Sequence, residues 1–137
     1  MIQNSNQKNK KTFNNIGIAQ ISGYRLPWAG KVSILHRISG LSLFLAIPFL
    51  LYLFDLSISS EISFLKFQTF LDSIVIKLIC LFLIWGYLHH FCAGIRFLLL
   101  DMHKGIEKNQ IQKSAVSVLI ISIALTIVFG AKLFNLF

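Results

Sequence analysis

Charge is what this sequence has least of. Of its 137 residues 13% are Asp, Glu, Lys or Arg, and only 5 are acids. A soluble domain carries about a quarter charged residues, so an ordinary water-facing surface is excluded. Proline is scarce as well, at 2 residues: Pro27 argues against a long helix through residues 16–30, and Pro48 falls mid-span, where it can kink the first crossing. The 2 cysteines, Cys80 and Cys92, share one apolar stretch and show no CxxC or CxxCH pattern. That supports neither a thiol-redox pair nor covalent c-type haem attachment; both read as small buried hydrophobes. Met1 to Asn15 is polar and rich in Asn and Lys, with no apolar core of a cleavable signal peptide. There is no internal repeat. The net charge is +8, yet no basic patch is interleaved with aromatics, so nucleic acid is not an expected partner.

Hydrocarbon is what is present instead. The chain is 55% hydrophobic, with a mean hydropathy of +0.73. That is too much apolar mass for one small core. The expected class is an all-α integral membrane protein lying in a lipid bilayer. Three stretches are long and apolar enough to cross about 30 Å of hydrocarbon as helices: residues 31–54, 73–100 and 114–134. Residues 1–30 form a polar tail and an interfacial segment, in which Tyr24 and Trp28 suit the headgroup level. Residues 31–137 form the membrane domain. Lys and Arg set the orientation. They concentrate before Ile38 and around the second loop, whereas the first loop holds only Lys66. The N-terminus is therefore expected on the cytoplasmic or matrix side.

Leu88 to Asp101 reads LHHFCAGIRFLLLD. Ionisable groups at membrane depth are expensive, and by default they mark function. Gly86, His90 and Gly94 are spaced at four and so share one helical face. An imidazole that ligates haem iron needs room beside its own helix for a wide flat ring, and glycine one turn away on either side provides it. Two axial histidines suit electron transfer rather than oxygen chemistry. No other span offers a mid-membrane histidine, so a second ligand would come from another chain. The competing reading of His90 is packing or proton relay, because glycine also serves close packing in membranes. His89 points about 100° away and reads as a hydrogen-bonded packing residue. Arg96 reads as a positive-inside anchor or as a partner for a haem propionate.

At the start of the first span, Ser33 and Arg37 share a face, with His36 beside both. A hydroxyl, an imidazole and a guanidinium at the headgroup boundary make a polar niche reachable from lipid. An amphiphilic quinone needs donors for its carbonyls and protons from water. The competing reading is an N-cap serine and an anchoring arginine.

Taken together, Tyr24-Arg25-Leu26-Pro27, Ser33-Ile34-Leu35-His36-Arg37-Ile38-Ser39-Gly40, His90-x-x-x-Gly94-Ile95-Arg96 and Asp101 carry a resemblance. The chain, from about Ile16 onward, resembles the cytochrome b membrane-anchor subunits of succinate dehydrogenase, respiratory complex II. The resemblance implies a three-span anchor that forms half of a two-subunit helical bundle with a second small anchor. Together they would hold a flavoprotein and an iron–sulfur subunit on a bacterial or mitochondrial inner membrane. Succinate oxidation would lie in the flavoprotein, so this chain would hold no catalytic residue of its own. Ser33 and Arg37 would line a ubiquinone site. His90 would be an axial ligand of a haem b shared with the second anchor, and His36 and Arg37 would meet its propionates. The sequence departs from the family at Phe97, where many members have histidine, and at Asn14 to Gly23, which replace a proline-rich stretch. The motifs leave open whether electrons run from succinate to quinone or from quinol to fumarate. A non-redox scaffold or transport subunit is the reading from another class, but no inverted repeat supports it.

Overall fold

The computed structural model describes residue 23 and residues 25–135, and all regular structure among them is helical. The tail expected over residues 1–15, and Tyr24 of the interfacial segment, lie outside the described residues. Four helices follow in order: α1 (Trp28–Ile58), α2 (Glu61–Asp72), α3 (Ile74–Asp101) and α4 (Lys108–Leu133). Three of them, α1, α3 and α4, are long and apolar enough to cross a membrane.

Pro27 sets where α1 begins. Its backbone is extended at φ −63° and ψ 158°, and its carbonyl accepts the first helical bond, from Lys31 N at 3.1 Å. The 31 residues of α1 span about 46 Å at 1.5 Å per residue, more than the hydrocarbon alone requires. The helix therefore extends beyond residues 31–54 at both ends. It also runs through Pro48, an exposed residue.

The first loop holds a helix. Ser60 and Ser63 close a reciprocal cap, with Ser63 N on Ser60 Oγ at 3.1 Å and Ser60 N on Ser63 Oγ at 2.8 Å. This satisfies amide groups that a helix start otherwise leaves orphaned. The resulting α2 folds against α1 through Phe70, whose ring lies 6.5 Å from Phe49 and 6.4 Å from Tyr52.

The bundle is inverted relative to a water-soluble one. Phe44 and Leu45 are each 67% exposed, whereas the buried set includes Ser39, His89, Arg96 and Ser122. Lipid is as apolar as leucine, so helices associate here by close packing and polar contacts. Between α3 and α4 that packing uses Gly130, where an added Cβ would stand 2.7 Å from Leu81 Cδ1. Leu81 can yield a little, so Gly130→Ala should be mild. Gly130→Leu should lower the stability of the purified assembly by about 1–3 kcal/mol, as overpacking does, read as a fall in its thermal midpoint.

The start of α1, the end of α3 and the start of α4 meet at one end. Ala29 N donates to Gln112 Oε1 at 3.4 Å, which ties α1 to α4. Arg96 ties α3 to α4, with Nε on Ser114 Oγ at 3.0 Å and Nη2 on the Ile111 carbonyl at 3.2 Å.

Candidate functional site

His90 is seated on one turn of α1. Its Nδ1 lies 3.1 Å from the His36 carbonyl and 3.4 Å from Ser39 Oγ. A carbonyl only accepts, so Nδ1 must carry the proton and donate. The Ser39 hydroxyl donates to the same His36 carbonyl at 2.8 Å, which leaves its oxygen lone pairs facing His90. The tautomer is assigned from this network: Nδ1–H is held and Nε2 keeps its lone pair. Among the described residues nothing bonds Nε2, nor is it among the sealed, unsatisfied atoms. Such a histidine, oriented through its other nitrogen, has the standard form of a metal ligand.

His36 reaches the same place from α1. Its ring stacks on that of His90 with centroids 4.1 Å apart and planes 10° apart. Phe97 meets the His36 ring edge-on at 5.1 Å. The sequence-predicted pair His36 and His90 is therefore brought together across 54 residues of chain. Two imidazoles stacked face to face do not point their ring nitrogens at one shared point between them. Among the described residues, no group of three or more His, Cys, Asp or Glu could hold a bare metal ion. The geometry offers one candidate metal-ligating nitrogen, His90 Nε2, with the His36 ring over the face of its imidazole.

The glycines work differently from the spacing argument. Gly86 does leave room, since a Cβ there would meet nothing within 4 Å. At Gly94 the room is taken by His36, whose Nε2 would lie 3.8 Å from an added Cβ. The glycine that admits His90 is Gly40, on α1. A Cβ there would stand 2.9 Å from His90 Cε1 and 3.2 Å from Nδ1. Spacing along α3 cannot reveal it; its signals are its place four residues after His36 and in the Ser33-to-Gly40 motif.

The buried face of α3 is Gly86, His89, Ala93 and Arg96. His89 is 0% exposed, and neither ring nitrogen finds a partner. The Val32 backbone approaches the ring without reaching hydrogen-bond geometry. Trp85 stacks on the ring at 5.5 Å. The expectation of a hydrogen-bonded packing histidine is thus half met: His89 packs and is not bonded. Arg96 is turned into the α3–α4 contact.

Ser33 is half-buried and Arg37 is exposed. They share the α1 face expected of them, and among the described residues neither has a side-chain hydrogen bond or a salt bridge. A separate cavity of about 590 Å³ lies toward the other end of the bundle, lined by residues such as Leu50, Leu53, Phe67, Leu83 and Phe129. Its lining is nearly all hydrocarbon, so it offers few groups to recognise a polar ligand.

The family described as succinate dehydrogenase/fumarate reductase transmembrane subunit matches residues 14–129. The chain is similar to the succinate dehydrogenase cytochrome b556 subunit of Rickettsia felis, at 30% identity over 106 residues, covering 77% of this chain and 82% of the relative. It is 34% identical to the subunit of that name from Rickettsia bellii over 104 residues, covering 76% and 81%. With the Coxiella burnetii subunit it shares 32% identity over 111 residues, covering 80% and 89%.

Proposed function

We propose, from the fact that this chain belongs to the succinate dehydrogenase/fumarate reductase transmembrane subunit family, that it anchors a succinate:ubiquinone oxidoreductase, ligates a b-type haem and helps to bind quinone. The observation that carries the reading is the state of His90: Nδ1–H donates to the His36 carbonyl, and Nε2 has no hydrogen-bond partner among the described residues. The b556 in the relatives' names agrees with a b-type haem. When bound, that haem supplies a one-electron centre inside the membrane.

Each residue has a role in this reading. His90 would hold the haem iron through Nε2. Ser39 and the His36 carbonyl hold its ring and tautomer. A second small anchor subunit would supply a further histidine to the same haem, a reading supported by the stacked position of His36 beside His90. The exposed hydrocarbon of α1 and α3 then faces lipid or that partner, and residues 31–137 act as half of a two-subunit bundle. Arg37, exposed at the same end, is free to meet a haem propionate or a quinone carbonyl, and Ser33 lies one turn from it. His36 stands beside both. Succinate is oxidised on a flavoprotein, and its electrons arrive through an iron–sulfur subunit docked at this end. The N-terminus lies on that same cytoplasmic or matrix side.

The test is purification of the assembly in mild detergent, with a visible spectrum and identification of its subunits. A Soret band together with two soluble redox subunits is expected. A colourless preparation without them would end this reading. Within the assembly, Arg37→Ala should lower quinone reductase activity about tenfold or more, the size of a lost charged hydrogen bond of about 1.5–3 kcal/mol. Ser33→Ala should cost less, about 0.5–1.5 kcal/mol. Succinate oxidation by an artificial acceptor should be unchanged in both. Equal loss of the two activities would assign these residues to assembly.

A further inference from the structure

We propose that the cleft between the end of α3 and the start of α4 binds the headgroup phosphate of an acidic phospholipid, with Arg96 and Lys104 as its cations. The cleft lies between α3 and α4, whereas His90 is seated between α3 and α1.

The argument starts from an uncompensated charge. Arg96 is 5% exposed. Its hydrogen bonds go to neutral oxygens, Ser114 Oγ and the Ile111 carbonyl, and its guanidinium carbon lies 5.3 Å from the Phe97 ring. No carboxylate pairs with it; the salt bridge found among the described residues is Lys77 with Asp72. A buried cation without a counter-ion is strongly unfavourable. Arg96 also keeps N–H groups that bond nothing among the described residues, so it retains donors for an anion.

The surroundings say which anion. Arg96 borders a cavity of about 460 Å³ that is also lined by Lys104, Ser114, Ser117, Leu99 and Ile121. Lys104 is exposed, and no acid pairs with it among the described residues. The turn that carries it is fixed by His103 at φ 58° and Gly105 at φ 74°. The cleft is therefore basic at the loop end and apolar along the helices. Its apolar walls open outward, with Leu99 45% and Ile121 49% exposed. Arg96 lies about 7.5 Å inside the end of α3 at 1.5 Å per residue, the depth at which a phosphate and the first carbons of its chains would sit. A free inorganic anion would have no use for the apolar wall, whereas a lipid with an anionic head uses both. Basic pockets between spans at the negative side are suited to such lipids.

The test uses the whole purified assembly, taken from nanodiscs of equimolar phosphatidylcholine and phosphatidylglycerol, then delipidated and weighed by native mass spectrometry. The wild type should retain phosphatidylglycerol in preference to phosphatidylcholine. Lys104→Gln should weaken that retention about fivefold, the loss of one surface cation. Ser117→Trp, which fills the cleft and removes no charge, should abolish it. Added inorganic phosphate should leave the lipid in place. Equal retention of both lipids, unchanged retention in Ser117→Trp, or displacement by inorganic phosphate would overturn the proposal. So would absence of bound lipid together with subunits that separate in Lys104→Glu, which would assign the counter-ion to a partner's carboxylate.

Discussion

A His90→Leu variant is expected to lose most of its b-type haem, seen as a collapse or displacement of the Soret and α bands per assembled complex. The size of the effect follows from what one residue does. Among the described residues His90 alone is placed with a protonated Nδ1 held by a carbonyl and an unpartnered Nε2, so no neighbour can replace it. His36 is the nearest imidazole, and its ring lies over the face of His90. Leucine keeps the apolar bulk, so the contact between α1 and α3 should survive. Succinate oxidation by an artificial acceptor should therefore be retained while the spectrum fails. Ser39→Ala is the graded companion. It removes the hydroxyl 3.4 Å from Nδ1 and leaves the His36 carbonyl. Outer-shell changes of this kind cost about 10–100-fold in metal affinity or activity, and the His36 carbonyl that remains puts Ser39→Ala at the lower end. A normal spectrum in His90→Leu would remove this chain from haem ligation.

The three crossings were legible because hydrocarbon thickness dictates length and composition, and both are visible in a linear sequence. The helix α2 was not, because residues 61–72 are too short and too mixed to be read against a loop. Its cap, Ser60 with Ser63, was the available signal. The histidine at position 90 was legible as an expensive residue in an apolar run, but its seat was not. Helical spacing relates residues within one helix, whereas Ser39 and Gly40 meet His90 from another, and nothing in the sequence fixes the register between α1 and α3. The same limit applies to Arg96. At a helix end it looks like a membrane anchor, and only the fold shows its guanidinium against Ser114 and Ile111. Ser33 and Arg37 are the reverse case. Their types and spacing point to a niche, yet in this chain Ser33 is half-buried, Arg37 is exposed, and among the described residues neither has a side-chain partner.

Gly40 yields the second large effect, and it separates the seat of His90 from the ligand itself. An alanine there would set its Cβ 2.9 Å from His90 Cε1 and 3.2 Å from Nδ1. Carbon atoms attract best at about 3.5–4.0 Å, so the ring or the helix must shift by several tenths of an ångström. The ring has little freedom, because Nδ1 is tied to the His36 carbonyl on the same turn and His36 covers one face. Gly40→Ala should therefore keep haem but shift its α band and midpoint potential, since the ligand is tilted and its outer hydrogen bond stretched. Gly40→Leu cannot be absorbed that way. It should expel His90 from the turn of α1 and reduce haem content nearly as far as His90→Leu. It should also loosen the α1–α3 contact by about 1–3 kcal/mol, as overpacking does, which lowers the thermal midpoint of the assembly where His90→Leu lowers it less. The two readouts discriminate between causes. Haem loss with an unchanged midpoint would mean that Gly40 meets the haem rather than the histidine. Full haem content in Gly40→Leu would mean that His90 does not sit on this turn when the cofactor is bound.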